Sequence, residues 1–184
     1  MNDILQQVRD YADAAHGTQM RKYTPERYIV HPVRVMETCA QYTDKQPILA
    51  AALLHDVLED TPVTPQEMHA FLQTIMTKED AAETLKLVIE LTDVYVKKDY
   101  PKMNRRTRKA KEQLRIAETS ADSQTIKYAD IIDNCNEIVK HDPDFAKVFL
   151  YECRANLRTM GKGNQHLYQR AVDKVDEAID SMRR

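Results

Sequence analysis

The sequence predicts an all-α protein, folded as a compact multi-helix bundle. Only three glycines occur among its 184 residues, tryptophan is absent, and strand-like alternation is rare. Apolar residues instead recur at the three- and four-residue spacing of a helix face through most of the chain. A chain of this length can bury about 70% of its unfolded surface around one core without help from a metal or a disulfide. We therefore expect a single domain over residues 1–184.

Helical spacing and capping signals place the elements in order. They predict helices over residues 2–15, 32–42, 46–59, 65–76, 79–92, 104–119, 122–140, 144–160 and 165–182. A capping box, with proline at the first helical position, begins the helix near residue 65. Asp142 and Pro143 mark another helix start. Gly161 and Gly163 suit a helix end and the turn that follows it.

Two polar stretches lack helical spacing, and we expect them to be loops. They cover residues 17–30 and 93–103, and each is longer than ten residues. Connectors of this length inside one domain are more often functional loops than spacers. The second stretch continues into a basic segment. Two interpretations of this segment are open: it is a solvated surface, or it is a funnel that attracts an anionic substrate. Its cations are Lys97, Lys98, Lys102, Arg105, Arg106, Arg108, Lys109 and Lys111.

Composition disfavours several classes of protein. The longest apolar run, Ile48 to Leu54, is far shorter than the roughly 20 residues that span a bilayer. The N-terminus also lacks the regions of a signal peptide, so we expect a cytoplasmic protein with no membrane partner. A net charge of −2 argues against stable nucleic-acid binding. Cys39, Cys135 and Cys153 are odd in number and widely spaced, which predicts buried free thiols.

The predicted helix over residues 46–59 ends in a dense group of side chains that can bind metal or transfer protons. At 3.6 residues per turn, His55 should stack with Glu59. Asp56 should likewise stack with Asp60. An apolar helix that ends in two polar columns indicates a functional site.

Other polar residues complete a candidate metal site. The site would offer two imidazole nitrogens and two carboxylates, from His31, His55, Asp56 and Asp130. This set of ligands suits manganese, iron or zinc. Asp130 shares a helix face with Lys127 and Asn134. Simpler interpretations also stand: His31 could begin a helix, the acids at 59 and 60 could be solvated, and Asp130 could pair with Lys127.

These residues stand in motifs that resemble the HD-domain phosphohydrolases, an all-helical superfamily. The sequence is most similar to the hydrolase domain of the Rel/Spo homologues and to the small alarmone hydrolases. Those enzymes remove pyrophosphate from the 3′ position of ppGpp and pppGpp with manganese. The motifs that carry the resemblance are QMRK at 19–22, YIVHP at 28–32, AALLHDVLEDT at 51–61, LTD at 91–93 and IKYADIIDN at 126–134.

The resemblance implies a role for each candidate residue. One divalent metal ion, manganese, would be held by His31, His55, Asp56 and Asp130. The acid pair that acts on the water and the leaving group would be Glu59 and Asp60. Contacts to the substrate would come from Arg21, Lys22, Tyr28, Lys127 and Asn134. No part of the chain after residue 134 resembles a synthetase domain, so the implied activity is hydrolysis only.

The expected function is metal-dependent hydrolysis of the 3′-pyrophosphate of ppGpp or pppGpp, as in the stringent response. The expected partner is a small nucleotide, and oligomerisation is left open. One alternative is an HD phosphohydrolase of another small nucleotide, either a 5′-nucleotidase or a redox-cofactor phosphatase. A second alternative is a catalytically silent module that senses a nucleotide. The presence of both Glu59 and Asp60 argues against the silent module, because a sensor needs no proton-transfer groups.

Overall fold

The computed structural model describes residues 2–182 of the chain. Within these residues there are ten α-helices and no strand, apart from one isolated antiparallel bridge between Met20 and Arg27. The all-α class predicted from the sequence is confirmed. The chain divides into two compact units, residues 1–92 and residues 93–184.

The first unit is built around a short helix that is buried on all sides. Its helices are α1 (Asp3–His16), α2 (Val30–Ala40), α3 (Gln46–Leu54), α4 (Val57–Asp60), α5 (Pro65–Ile75) and α6 (Lys78–Leu91). Every residue of α3 from 48 to 54 is buried, because α1, α2 and α6 all pack against it. A helix that is apolar all round is stable only in such a central position.

The second unit is organised around its longest helix. Its helices are α7 (Arg105–Ala117), α8 (Ala121–His141), α9 (Pro143–Leu157) and α10 (Gln165–Ser181). Both α9 and α10 pack against α8, and α7 packs against α9. Ile126, Ala129 and Ile132 of α8 are buried. The polar residues of α8 are therefore free to occupy a different face of the helix.

The prediction of one continuous helix over residues 46–59 is wrong. The helix stops at Leu54, and α4 begins at Val57 after a turn made by His55 and Asp56. In a continuous helix the carbonyl of Ala52 would accept from the amide of residue 56; here Nδ1 of His55 donates to it at 2.8 Å. The backbone of Asp56, at φ −97° and ψ −7°, lies in the bridge region of turns. The two polar columns expected on one helix are replaced by a turn that separates His55 and Asp56 from α4.

The local capping signals are confirmed. Thr64 and Glu67 form the capping box of α5 in both directions. The Asp142 side chain accepts from the amide of Phe145 at the start of α9, with Pro143 at the first helical position. The polar stretches near residues 17–29 and 93–104 are loops, and the three cysteines are buried and free. None of the described helices is long and apolar enough to cross a membrane.

Candidate metal centre

Three of the predicted metal ligands converge in the first unit. His31 lies in the first turn of α2, and His55 and Asp56 form the turn after α3. Nε2 of His55 lies 3.0 Å from Oδ2 of Asp56, and Nε2 of His31 lies 3.6 Å from the same oxygen. One ligand atom from each residue falls within 4.8 Å of the others. The packing of α2 against α3 thus assembles two nitrogens and one carboxylate oxygen.

The hydrogen bond of His55 determines which of its ring nitrogens faces this cluster. A carbonyl oxygen can only accept, so Nδ1, which bonds to Ala52, carries the proton. In the neutral imidazole, Nε2 then presents its lone pair to the Asp56 carboxylate at 3.0 Å. Two lone pairs at that distance repel each other unless a proton or a metal cation lies between them. A histidine whose second nitrogen donates to a backbone carbonyl is also typical of metal ligands, so the donor set fits a divalent ion.

Tyr28 holds the carboxylate of this cluster. Its hydroxyl donates to Oδ2 of Asp56 at 2.5 Å. The His16 ring packs against the Tyr28 ring, with centroids 4.5 Å apart, and the Arg21 guanidinium lies 5.7 Å from the Tyr28 ring centroid. Tyr28, which the resemblance implied as a substrate contact, therefore orients a candidate metal ligand in this structure.

The two cations expected to bind substrate differ in their surroundings. Arg21 lies over Tyr28, and hence close to the residue that holds Asp56. Lys22 is exposed, and its ammonium donates to the hydroxyl of Tyr23 at 2.8 Å while lying 4.6 Å from that ring's centroid. Arg21 is thus the one of these two cations that contacts the residue holding a candidate metal ligand.

The acid pair lies on α4, and both side chains are exposed to solvent. Oδ2 of Asp60 accepts a hydrogen bond from Nε2 of Gln19 at 3.2 Å. Oε1 of the same amide lies 2.9 Å from Nδ1 of His16. Sequence reasoning missed both His16 and the role of Gln19. The available signal was their spacing: Gln19, the first residue of the motif at residues 19–22, lies three positions after His16.

Asp130 lies in the second unit, on α8, where two neighbours on the same helix hold it. Nζ of Lys127 lies 2.8 Å from one carboxylate oxygen, and Nδ2 of Asn134 donates to the other at 2.6 Å. The shared helix face predicted for these three residues is confirmed. So is the simpler expectation that Asp130 pairs with Lys127.

A cavity of about 780 Å³ opens beside Asp130 within the second unit. Lys127 and Asp130 of α8 form part of its wall, and α9 contributes the aromatic residues Phe145, Phe149 and Tyr151. This volume falls in the range of small-molecule sites, which combine an apolar wall with a few polar groups. Sequence reasoning missed the α9 wall, although the four-residue spacing of the two phenylalanines was available as a signal.

The basic segment is partly neutralised by bonds inside the second unit. Lys109 pairs with Asp93 at 2.9 Å. The Arg105 guanidinium makes two bonds to the Glu152 carboxylate, at 2.9 and 2.7 Å. Cations from this segment also line the cavity: Arg105, Arg106 and Lys109. The segment is therefore not a purely solvated face, because three of its cations line the cavity. It is also not a row of unpaired charges, because two of its cations form ion pairs.

Comparison with known proteins gave matches at the level of family and of fold. The HD domain family model matches residues 28–135. The human guanosine-3′,5′-bis(diphosphate) 3′-pyrophosphohydrolase MESH1 is 31% identical over 145 residues, which cover 76% of this chain and 72% of that protein. The enzyme of the same activity name from Aquifex aeolicus is 42% identical over 64 residues, 35% of this chain. That match spans only 9% of the bacterial protein, so this chain corresponds to a small part of such long relatives.

A solved structure resembles the fold. It belongs to a metazoan ortholog of SpoT that is described as hydrolysing ppGpp and as playing a role in starvation responses. The TM-score is 0.77 at 24% sequence identity, and the match covers 98% of this chain and 96% of the other. At that identity the likeness establishes the fold.

Proposed function

This chain belongs to the HD domain family, and from that membership we propose that it hydrolyses the 3′-pyrophosphate of guanosine 3′,5′-bisdiphosphate with release of pyrophosphate. The observation that carries the proposal is the convergence of His31, His55 and Asp56 on one point. The activity named for the human relative, matched over 72% of its length, supports this substrate. We further propose that residues 1–184 act as one domain, in the cytoplasm, in a stringent response.

The proposed metal site uses the three clustered residues as ligands. Imidazole nitrogens with a carboxylate suit manganese, iron or zinc better than calcium, and we propose manganese. When bound, the ion would supply Lewis-acid stabilisation of phosphoryl oxygens and activate water for attack. Asp130, which the sequence suggests as a fourth ligand, stays a prediction, to be tested by the metal content of Asp130→Asn.

The chain's own residues supply orientation and proton transfer. The hydrogen bond from Tyr28 keeps the Asp56 carboxylate directed at the two imidazoles. We propose Glu59 and Asp60 as the groups that take a proton from water and give one to the leaving group. Their exposure on α4 leaves them accessible to a substrate, and positioned acids or bases of this kind contribute about a hundredfold to ten-thousandfold in rate.

Charge on the substrate requires cations in addition to the metal. A nucleotide with diphosphates at both the 3′ and 5′ positions is strongly anionic, and a guanidinium can bind phosphate oxygens through two parallel bonds. We propose Arg21 for this role, because it lies over Tyr28 near the candidate metal ligands. Lys22, Lys127 and Asn134 stay predicted contacts.

Product analysis tests the proposal. The manganese-loaded protein should release pyrophosphate from ppGpp, and Arg21→Ala should slow that reaction more than Lys45→Ala, a lysine before α3. Orthophosphate released from GMP or from a dinucleotide phosphate, with no attack on ppGpp, would instead identify another small-nucleotide phosphohydrolase. Tight nucleotide binding with no product of either kind would identify a silent sensing module.

A further inference from the structure

We propose that Gln19 is a positioning residue that holds the Asp60 carboxylate in place for proton transfer, and that His16 sets the orientation of the Gln19 amide. The catalytic purpose of this arrangement rests on the role proposed above for Asp60. The arrangement itself rests on the hydrogen bonds that join the three side chains.

The backbone of Gln19 is held on both sides, so its side chain starts from a defined position. Its amide nitrogen donates to the carbonyl of His16 at 3.0 Å, and its own carbonyl accepts from the amide of Tyr28 at 2.9 Å. His16 is the last residue of α1 and is buried, with 7% of the residue's surface exposed. The amide of Gln19 therefore extends from an anchored turn toward the end of α4.

Proton positions follow from what each group can donate. A carboxylate only accepts, so the NH₂ end of the Gln19 amide must face Asp60. The carbonyl end then faces His16, and Nδ1 of His16 must carry the proton that bonds to it. Nε2 of His16 is buried and has no hydrogen-bond partner among the described residues. A proton there would be a buried, unsatisfied donor, which disfavours the other tautomer.

Asp60 needs such a tether because its local surroundings restrain it little. It is exposed and ends a four-residue helix, so its side chain would otherwise sample several rotamers. Catalytic groups lose rate when they are displaced by about an ångström from the productive geometry. A bond from an anchored amide reduces that loss.

His16 supports the candidate site by two routes. Through Gln19 it reaches Asp60, and through the ring of Tyr28 it buttresses the hydroxyl that bonds to Asp56. The end of α1 therefore orients both a proposed proton-transfer group and a candidate metal ligand.

The kinetic test replaces the amide by an apolar group of similar size. Gln19→Leu should lower kcat by roughly tenfold, the scale of one lost hydrogen bond to a charged group, with KM and manganese affinity unchanged. In an Asp60→Ala background the same change should have no further effect, because its target is gone. The matched control is Gln6→Leu, which removes a similar exposed bond, to Asp10 at 2.9 Å, and should leave kcat unchanged. An equal loss in both backgrounds would overturn the proposal.

A second measurement does not depend on the nucleotide. The ¹⁵N shifts of the His16 ring, recorded at mildly alkaline pH where imidazole is neutral, should show the Nδ1–H tautomer in the wild type and a shift toward Nε2–H in Gln19→Leu. An Nε2–H tautomer in the wild type would contradict the proposed hydrogen bond from His16 to Gln19. Failure of the wild type to hydrolyse ppGpp would refute the proposed reaction, and the tautomer would still decide whether the tether exists.

Discussion

At the scale of single residues, the candidate site depends on which atoms are committed to local bonds. Nδ1 of His55 is bound to a backbone carbonyl, so only Nε2 remains for a ligand. Tyr28 holds one oxygen of Asp56. These bonds make the cluster a preorganised donor set, since the ring and the carboxylate are oriented before any ion arrives.

His55→Ala should abolish tight metal binding and leave the fold intact. The change removes one of three clustered donors, whereas the buried apolar residues of α3 remain. Metal content after reconstitution with manganese, measured by elemental analysis, should fall from one ion per chain to almost none. His69→Ala, on α5, is the control and should keep the ion. Equal metal in wild type and His55→Ala would refute the site.

Glu59→Gln should retain the metal and lose about a hundredfold or more in kcat, because a neutral amide cannot accept a proton. The double variant Glu59→Gln, Asp60→Asn should lose at least as much. Single-turnover rates with ppGpp, taken together with metal content, separate catalysis from binding. A double variant with a near wild-type rate would contradict the assignment.

At the scale of elements, caps and close contacts determine where helices stop and how connectors are held. The connector between α9 and α10 lies against the first turns of α8. The Tyr128 hydroxyl donates to the carbonyl of Met160 at 2.7 Å, and Thr125 accepts from the amide of Asn164 at 2.9 Å. Gly163 sits between these bonds, and a Cβ at that position would come within 2.6 Å of the Tyr128 ring.

Gly163→Ala should therefore destabilise the protein by about 1–3 kcal/mol, the usual range for overpacking a buried site. Besides the Tyr128 ring, the new methyl group would meet the Thr125 backbone nitrogen at 2.9 Å, and backbone atoms do not yield easily. Gly161→Ala is a matched control two residues away, where an added Cβ would meet nothing within 4 Å. Urea unfolding of both variants provides the comparison. Equal stabilities would show that the connector can move away from α8.

At the scale of the whole molecule, buried ionisable groups link stability to pH. Burial raises the pKa of the Cys39 thiol, in α2, from its ordinary value of 9.0 to about 12. Its neutral form is thus favoured in the folded chain. The contribution of this thiol to the stability of the folded state is complete below pH 9, the pKa of the thiol in the unfolded state. It is lost as the pH rises toward 12.

Cys39→Ala should make stability less sensitive to alkaline pH. Between pH 7 and pH 10.5 the free energy of unfolding of the wild type should fall by up to about 2 kcal/mol more than that of this variant. The reason is that the Cys39 thiol keeps its proton in the folded state but loses it in the unfolded state. Urea unfolding at the two pH values measures this difference. Val35→Ala, a buried change in the same helix, should lower stability equally at both pH values. A Cys39→Ala variant with the wild-type pH dependence would show that other groups dominate.

Features that depend on neighbours along the chain could be predicted from the amino-acid sequence. Helical spacing and sparse glycine gave the all-α class, capping residues gave the starts of α5 and α9, and the shared face of Lys127, Asp130 and Asn134 followed from intervals of three and four. These features could be predicted because the bonds concerned close within one or two helical turns.

Features that depend on a competing local bond or on packing between helices could not be predicted from spacing along the chain. The break after Leu54 was missed although the bond beside it is local, because helical spacing does not show that the His55 side chain, and not a backbone amide, bonds to the Ala52 carbonyl. His31 meets His55 because α2 packs against α3, and Gln19 reaches Asp60 across 41 positions of sequence. The aromatic wall of the cavity likewise requires α9 to lie against α8. Local spacing fixes the face on which a side chain lies, whereas the partner of that face is set by how the helices pack.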